Sequence, residues 1–96
     1  MKTLILDGNK INTEDDFHRE MSLLLDFGPY YGHNLDALWD CLSRDVERPV
    51  LIIWENSAHS KSRLGDVFDT IMYIFEKAKK EDIKCGASEV FDFIIQ

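Results

Sequence analysis

Ninety-six residues, 45% of them apolar, suit one domain with a single core and no staples, since about two-thirds of the unfolded surface can be buried at this length. Eighteen acids against eleven Lys and Arg give a formal charge of −7, which speaks against direct binding of RNA or DNA because phosphates would be repelled. It favours a cationic partner, although moderate acidity also serves plain solubility and says nothing about fold.

The apolar run after Met1, KTLILDG, is far too short for a signal peptide or a membrane span, so a cytoplasmic chain is expected. Lys2 to Asp7 alternates little and reads as a strand buried on both faces. Gly8 and Asn9 turn the chain. Thr13 and Asp16 have capping-box spacing, and Phe17, Met21, Leu24 and Leu25 then recur with helical period, which predicts a helix from about Glu14 to Leu25. Gly28 and Pro29 stop it. His18 and His59 read as surface residues on helices.

The next stretch, Tyr30 to Leu42, reads YYGHNLDALWDCL. Asn34 is a good N-cap, its side-chain oxygen able to accept an unpaired amide of the first turn, and Gly32 permits a sharp entry. Leu35, Leu38 and Leu42 fall on one stripe that must face the core, with Cys41 at its edge and Ala37 behind it. The opposite arc then carries Asp36, Asp40 and Ser43, with Trp39 at its border, and the helix ends near Ser43 to Asp45.

Pro49 opens Val50 to Trp54, a central strand. Asn56 and Ser57 can cap a short helix that runs to about Leu64 and stops at Gly65, and Asp66 is placed to cap the next one. There Val67, Ile71, Ile74, Phe75 and Ala78 form an apolar stripe, while Lys77, Lys79 and Lys80 suit the negative end of the helix dipole. After Gly86 and Ser88, Val90 to Ile95 reads as a third strand, with Phe91, Phe93 and Ile95 on one side. Three strands separated by helices cannot be joined by hairpins, so an α/β domain with a small three-stranded parallel sheet and about four helices is expected over residues 1–96.

The Asp36 and Asp40 arc is poorly chosen if helix stability were its only purpose. The two acids stand four residues apart and repel, and only Asp36, in the first turn, is favoured by the helix dipole. A Trp beside two acids, preceded by Tyr30 and Tyr31, has the residue mix of a docking surface. The plainer alternative is a solvated face with a partly buried Trp.

Enzyme readings are weaker. His33, Asp36 and Asp40 could converge on a metal ion, but nothing marks a fourth ligand. The two carboxylates stand side by side on a convex helix rather than astride a substrate bond. Cys41 lacks an identifiable base, and Cys41 and Cys85 lack CxxC spacing, so two reduced thiols with no metal and no cofactor are expected.

The segment YYGHNLDALWDCL resembles the signature of the barstar family, intracellular inhibitors of barnase-type ribonucleases, with His33 as the odd position. The order of elements is similar too. The resemblance implies a parallel-sheet α/β fold, a cis Arg48–Pro49 bond, no enzymatic activity and a 1:1 complex with a ribonuclease by a chain that is monomeric when free. Carried across residue by residue, it implies that Asp40 enters the nuclease phosphate site with Asp36 beside it. Tyr30 would touch the rim, Gly32 would offer its backbone, and Asn34, Trp39 and Ser43 would flank the acids. Carboxylates on a stiff helix would thus mimic RNA phosphates without offering a bond to cleave. Asp45 stands where the family has a second Trp, and Lys77 aligns with a family Glu. Because a Lys facing a basic enzyme repels it, weaker binding to barnase than to a related enzyme of the same cell is expected. The competing possibility is an acidic module for a basic partner that is not a nuclease.

Overall fold

The computed structural model describes residues 2–96. In chain order the elements are β1 (Lys2–Asp7), a 3-10 turn (Gly8–Lys10), α1 (Glu14–Leu25), α2 (Leu35–Arg44), β2 (Val50–Glu55), α3 (Ser57–Leu64), α4 (Asp66–Lys84) and β3 (Phe91–Ile95). The sheet is parallel throughout, in the order β1-β2-β3, with Leu4 beside Ile52 and Ile52 beside Phe93. This is the α/β architecture expected from strands separated by helices.

Helices cover one face of the sheet. On that face Leu6, Val50, Ile52, Trp54 and Phe91 join a core with Phe17, Met21, Leu38, Leu42, Ile71 and Phe75. The other face is largely open, so β1 is not buried on both faces as its apolar run predicts: Ile5 is 52% and Ile94 43% exposed. The reason is topological. All the helices pack on a single side, leaving alternate residues of each strand toward solvent.

Trp54 lies at the centre, fully buried and stacked on Phe17 at 5.3 Å between ring centroids. Its indole N–H donates to Ser60 Oγ (3.1 Å), and that hydroxyl donates to the Gly8 carbonyl (3.0 Å). Gly8 is therefore wedged: a Cβ there would come within 2.6 Å of the Glu55 carbonyl oxygen. The α4 stripe is buried at Ile71, Ile74, Phe75 and Ala78, and it includes Phe68, which stands three residues before Ile71 and seven before Phe75, on the same helical face.

The predicted capping box forms. Thr13 Oγ1 accepts the Asp16 amide (3.1 Å) and Asp16 Oδ2 accepts the Thr13 amide (3.2 Å). Helix α1 spans Glu14–Leu25 as expected, but Asp26, in the left-handed region at φ 55°, ends it before Gly28 is reached. The caps of α3 and α4 differ from expectation. Asn56, also left-handed at φ 54°, makes no side-chain cap; its amide donates to Asp7 Oδ1 instead (3.3 Å). Gly65 occupies the cap position of α4, and Asp66 is the first helical residue.

The Arg48–Pro49 bond is cis, as the resemblance implies. The Arg48 guanidinium donates to the carbonyls of Leu42 and Val46 (both 2.6 Å) and to Asp82 (3.0 Å), and Asp82 also accepts the Phe91 amide (2.7 Å). Arg48 and Asp82 together thereby tie the end of α2, the approach to β2, the last turns of α4 and the start of β3. The Leu42 carbonyl is one of those that a helix C-terminus leaves without an internal partner.

Candidate partner-binding surface

The helix that carries the candidate residues is built as its sequence predicts. Asn34 Oδ1 accepts the Ala37 amide (2.8 Å) and its Nδ2 donates to the Gly32 carbonyl (3.1 Å), so one side chain caps α2 and fastens the loop before it. Leu38 and Leu42 are fully buried. Their burial fixes the rotation of α2 and turns Asp36, Asp40 and Ser43 outward, where all three are exposed. The two acids are one turn apart, about 6 Å along the axis. Neither carboxylate takes part in an ion pair or side-chain hydrogen bond among the described residues. Ser43 Oγ is folded back onto the Asp40 carbonyl (3.2 Å).

The loop contributes unequally. Tyr30 is 97% exposed, whereas Tyr31 is buried. The Tyr31 hydroxyl lies 2.6 Å from His18 Nδ1, and His18 Nε2 lies 2.9 Å from Glu14 Oε2. A carboxylate can only accept, so Nε2 carries a proton, and in the neutral imidazole Nδ1 must then accept the tyrosine O–H. Burial pushes the Tyr31 phenol well above its ordinary value, with the nearby Cys41 and Glu14 adding to the effect, so the hydroxyl stays a donor. His18 is thus fully buried rather than on the surface. It shares a stripe with Met21 and Leu25, at i+3 and i+7, and that spacing is the sequence signal for its burial.

His33, the residue that departs from the family signature, takes the left-handed conformation at φ 50° and bonds through Nδ1 to Asp15 Oδ1 (2.9 Å). The sharp entry to α2 accordingly resides in His33 and not in Gly32. At Gly32 the constraint is contact instead, since a Cβ there would meet Asn34 Nδ2 at 3.0 Å and the capping side chain would have to give way by a few tenths of an ångström.

Trp39 is half-buried at the border of the arc, with the Lys77 ammonium 4.5 Å above its ring. The sequence places both residues but does not pair them. Asp45 is exposed just past the helix, beside Cys41. Burial, with Asp45 and Asp40 as neighbouring negative charges, pushes the Cys41 thiol up, which disfavours the thiolate that a nucleophile would need. His33 is occupied by Asp15, and among the described residues no three His, Cys, Asp or Glu are grouped to hold a metal ion. No helix of the described residues is long and apolar enough to cross a membrane.

Fold and surface together define a small α/β protein that holds two uncompensated carboxylates outward on a rigid, convex helix. The family model described as Barstar (barnase inhibitor) matches residues 1–95. A protein of Bacillus subtilis (strain 168), "Putative ribonuclease inhibitor YrdF", is 36% identical over 81 residues, covering 84% of this chain and 89% of that one. The chain belongs to the barstar family, whose members are inhibitors and not enzymes. A ribonuclease-inhibitor role has the support of both findings.

Proposed function

We propose that this protein binds and blocks the active site of a cationic, barnase-type ribonuclease in a 1:1 complex inside the cytoplasm, with α2 as the inserted element. A ribonuclease aims cationic donors at the place where negative charge builds on the phosphate. Asp40 occupies that place, and Asp36 the position beside it. Tyr30 reaches the rim, Gly32 presents backbone, and Asn34, Trp39 and Ser43 flank the acids. Asn34 works mainly through the shape of the loop, because both ends of its amide are already engaged within the chain.

The observation that carries this reading is that Asp36 and Asp40 are exposed and that neither carboxylate is ion-paired among the described residues. A net charge of −7 adds long-range attraction for a basic enzyme and raises the encounter rate.

The test is inhibition of a panel of basic ribonucleases of the barnase type, including the host's own, by the purified protein and by Asp40→Ala. Truncating one partner of a desolvated charge pair costs about 2–5 kcal/mol, so the variant should lose at least about 30-fold in affinity with its thermal stability unchanged. Failure of the wild type to inhibit any of these enzymes would leave an acidic module for some other basic protein. Capture experiments with catalytically disabled ribonuclease separate binding from inhibition.

A further inference from the structure

Beside Asp36 the surface does not stay acidic. A groove of about 250 Å³ runs between α2 and α4, lined among others by Leu35, Asp36, Trp39, Tyr73, Ile74 and Lys77. Its floor is apolar. Its walls differ in charge, with the Asp36 carboxylate on α2 and the Lys77 ammonium on α4. Tyr73 is 67% exposed, more than a ring of that size gains from facing water. A second concavity, lined by Tyr73, Glu76, Lys77, Lys80 and Glu81, continues the same surface along α4.

Lys77 is the informative residue. Lys79, two positions on, is ion-paired with Asp92 (2.9 Å). Lys77 instead leans over the Trp39 ring, toward α2, and joins none of the ion pairs found among the described residues. A positive charge is therefore held across the groove from Asp36, without being ion-paired to it. A uniformly cationic partner would be repelled there, since like charges facing each other across an interface oppose docking.

We infer that the α2–α4 groove extends the docking face and that Lys77 selects a ribonuclease presenting an acidic side chain there, next to an apolar one seated between Trp39 and Tyr73. This rests on the ribonuclease-binding function proposed above and adds the chemistry of the partner's rim: basic opposite Asp36 and Asp40, acidic opposite Lys77. Such a bipolar contact rejects enzymes that are basic throughout while keeping the central carboxylates unchanged.

The experiment titrates the wild type, Lys77→Gln, Lys77→Glu, Tyr73→Ala and Asp40→Ala into catalytically disabled barnase. The same titrations are run with a set of barnase variants, each carrying one basic rim residue changed to Glu. Lys77→Glu should bind barnase about tenfold more tightly than the wild type, with Lys77→Gln between them and the difference shrinking in high salt. At least one Glu-bearing barnase should prefer the wild type by about tenfold, and that gain should vanish with Lys77→Glu. Tyr73→Ala should weaken every measurable complex about fivefold while leaving thermal stability in place. A Lys77 that only shields Trp39 would alter stability without discriminating among the barnase variants, and that result overturns the inference. So does an affinity unchanged within about twofold across the whole Lys77 series, or the absence of binding by every form. If Asp40→Ala weakens binding while the Lys77 series is flat, only the groove falls. If Asp40→Ala is also without effect, docking through α2 falls with it.

Discussion

Tyr31→Phe removes one oxygen and nothing else, and the surroundings set its cost. The ring would keep its contacts with Phe27, 4.7 Å between centroids, and with His18 at 5.6 Å. What disappears is the 2.6 Å bond to His18 Nδ1, leaving that nitrogen fully buried without a partner. A stranded buried acceptor costs about 1–3 kcal/mol, more than the bond itself contributes net, because water cannot replace the lost hydroxyl. At ~2 kcal/mol the melting temperature of a domain this size should fall by about 8–16 °C. Urea unfolding followed by the fluorescence of the buried Trp54 would measure it. The companion His18→Leu should be destabilising alone, and the double variant should cost less than the two single changes added together, since removing both partners leaves no polar atom unsatisfied. A Tyr31→Phe effect under about 0.5 kcal/mol, or strict additivity in the cycle, would refute the reasoning.

Asp82→Ala would deprive the Arg48 guanidinium of its anion and the Phe91 amide of its acceptor, and should cost about 2–3 kcal/mol in urea unfolding. Arg48 keeps its two carbonyl partners, which holds the loss below that of a wholly unpaired buried charge. Gly8→Ala should cost about 2 kcal/mol or more, because the added carbon meets the backbone oxygens of Asn56 and Glu55 rather than only a movable side-chain tip. Asp16 is held below the ordinary carboxylate range by the Asn12 amide first and by Arg19 and the Thr13 amide after it. A depressed folded value adds stability that is present above the unfolded pKa, near 3.8, and is lost as pH falls through the folded one. The melting-temperature gap between wild type and Asp16→Asn should accordingly be full at about pH 5.5 and shrink toward about pH 2; a gap independent of pH would contradict the assignment.

Helix α2 was legible almost to the residue because every local rule agrees over Tyr30 to Leu42. A good N-cap, a leucine stripe at helical spacing and polar residues on the remaining arc leave one way to place the helix, and its outward side chains follow from the inward ones. Periodicity could not reveal which sheet face lies open. A three-stranded sheet of Ile and Leu reads the same whether helices cover one side or both, and only the packing of the helices decides. His18 is buried against the expectation that its polarity sets, because its spacing to Met21 and Leu25 puts it on the buried stripe. The pairing of Lys77 with Trp39 joins residues 38 positions apart and depends on the angle between α2 and α4, which no local pattern carries.

The molecule divides labour between neighbouring residues of one short segment. Tyr31, His33 and Asn34 spend their polar atoms on their own chain, bonding His18, Asp15 and the Gly32 and Ala37 backbone. Tyr30, Asp36 and Asp40 spend none of theirs in this way, and all three are exposed. A carboxylate that must meet a partner gains from standing on a surface already ordered, because less conformational freedom is lost when the complex forms. The same arrangement explains why two repelling acids can persist on α2. The unfavourable i,i+4 pair costs a few tenths of a kcal/mol, small beside the core burial of Leu38 and Leu42 that holds the helix in place. The segment can therefore carry a locally unfavourable charge pattern without endangering the fold, and substitutions at Asp36 or Asp40 should report on binding, while those at Tyr31 or Asn34 report on the scaffold first.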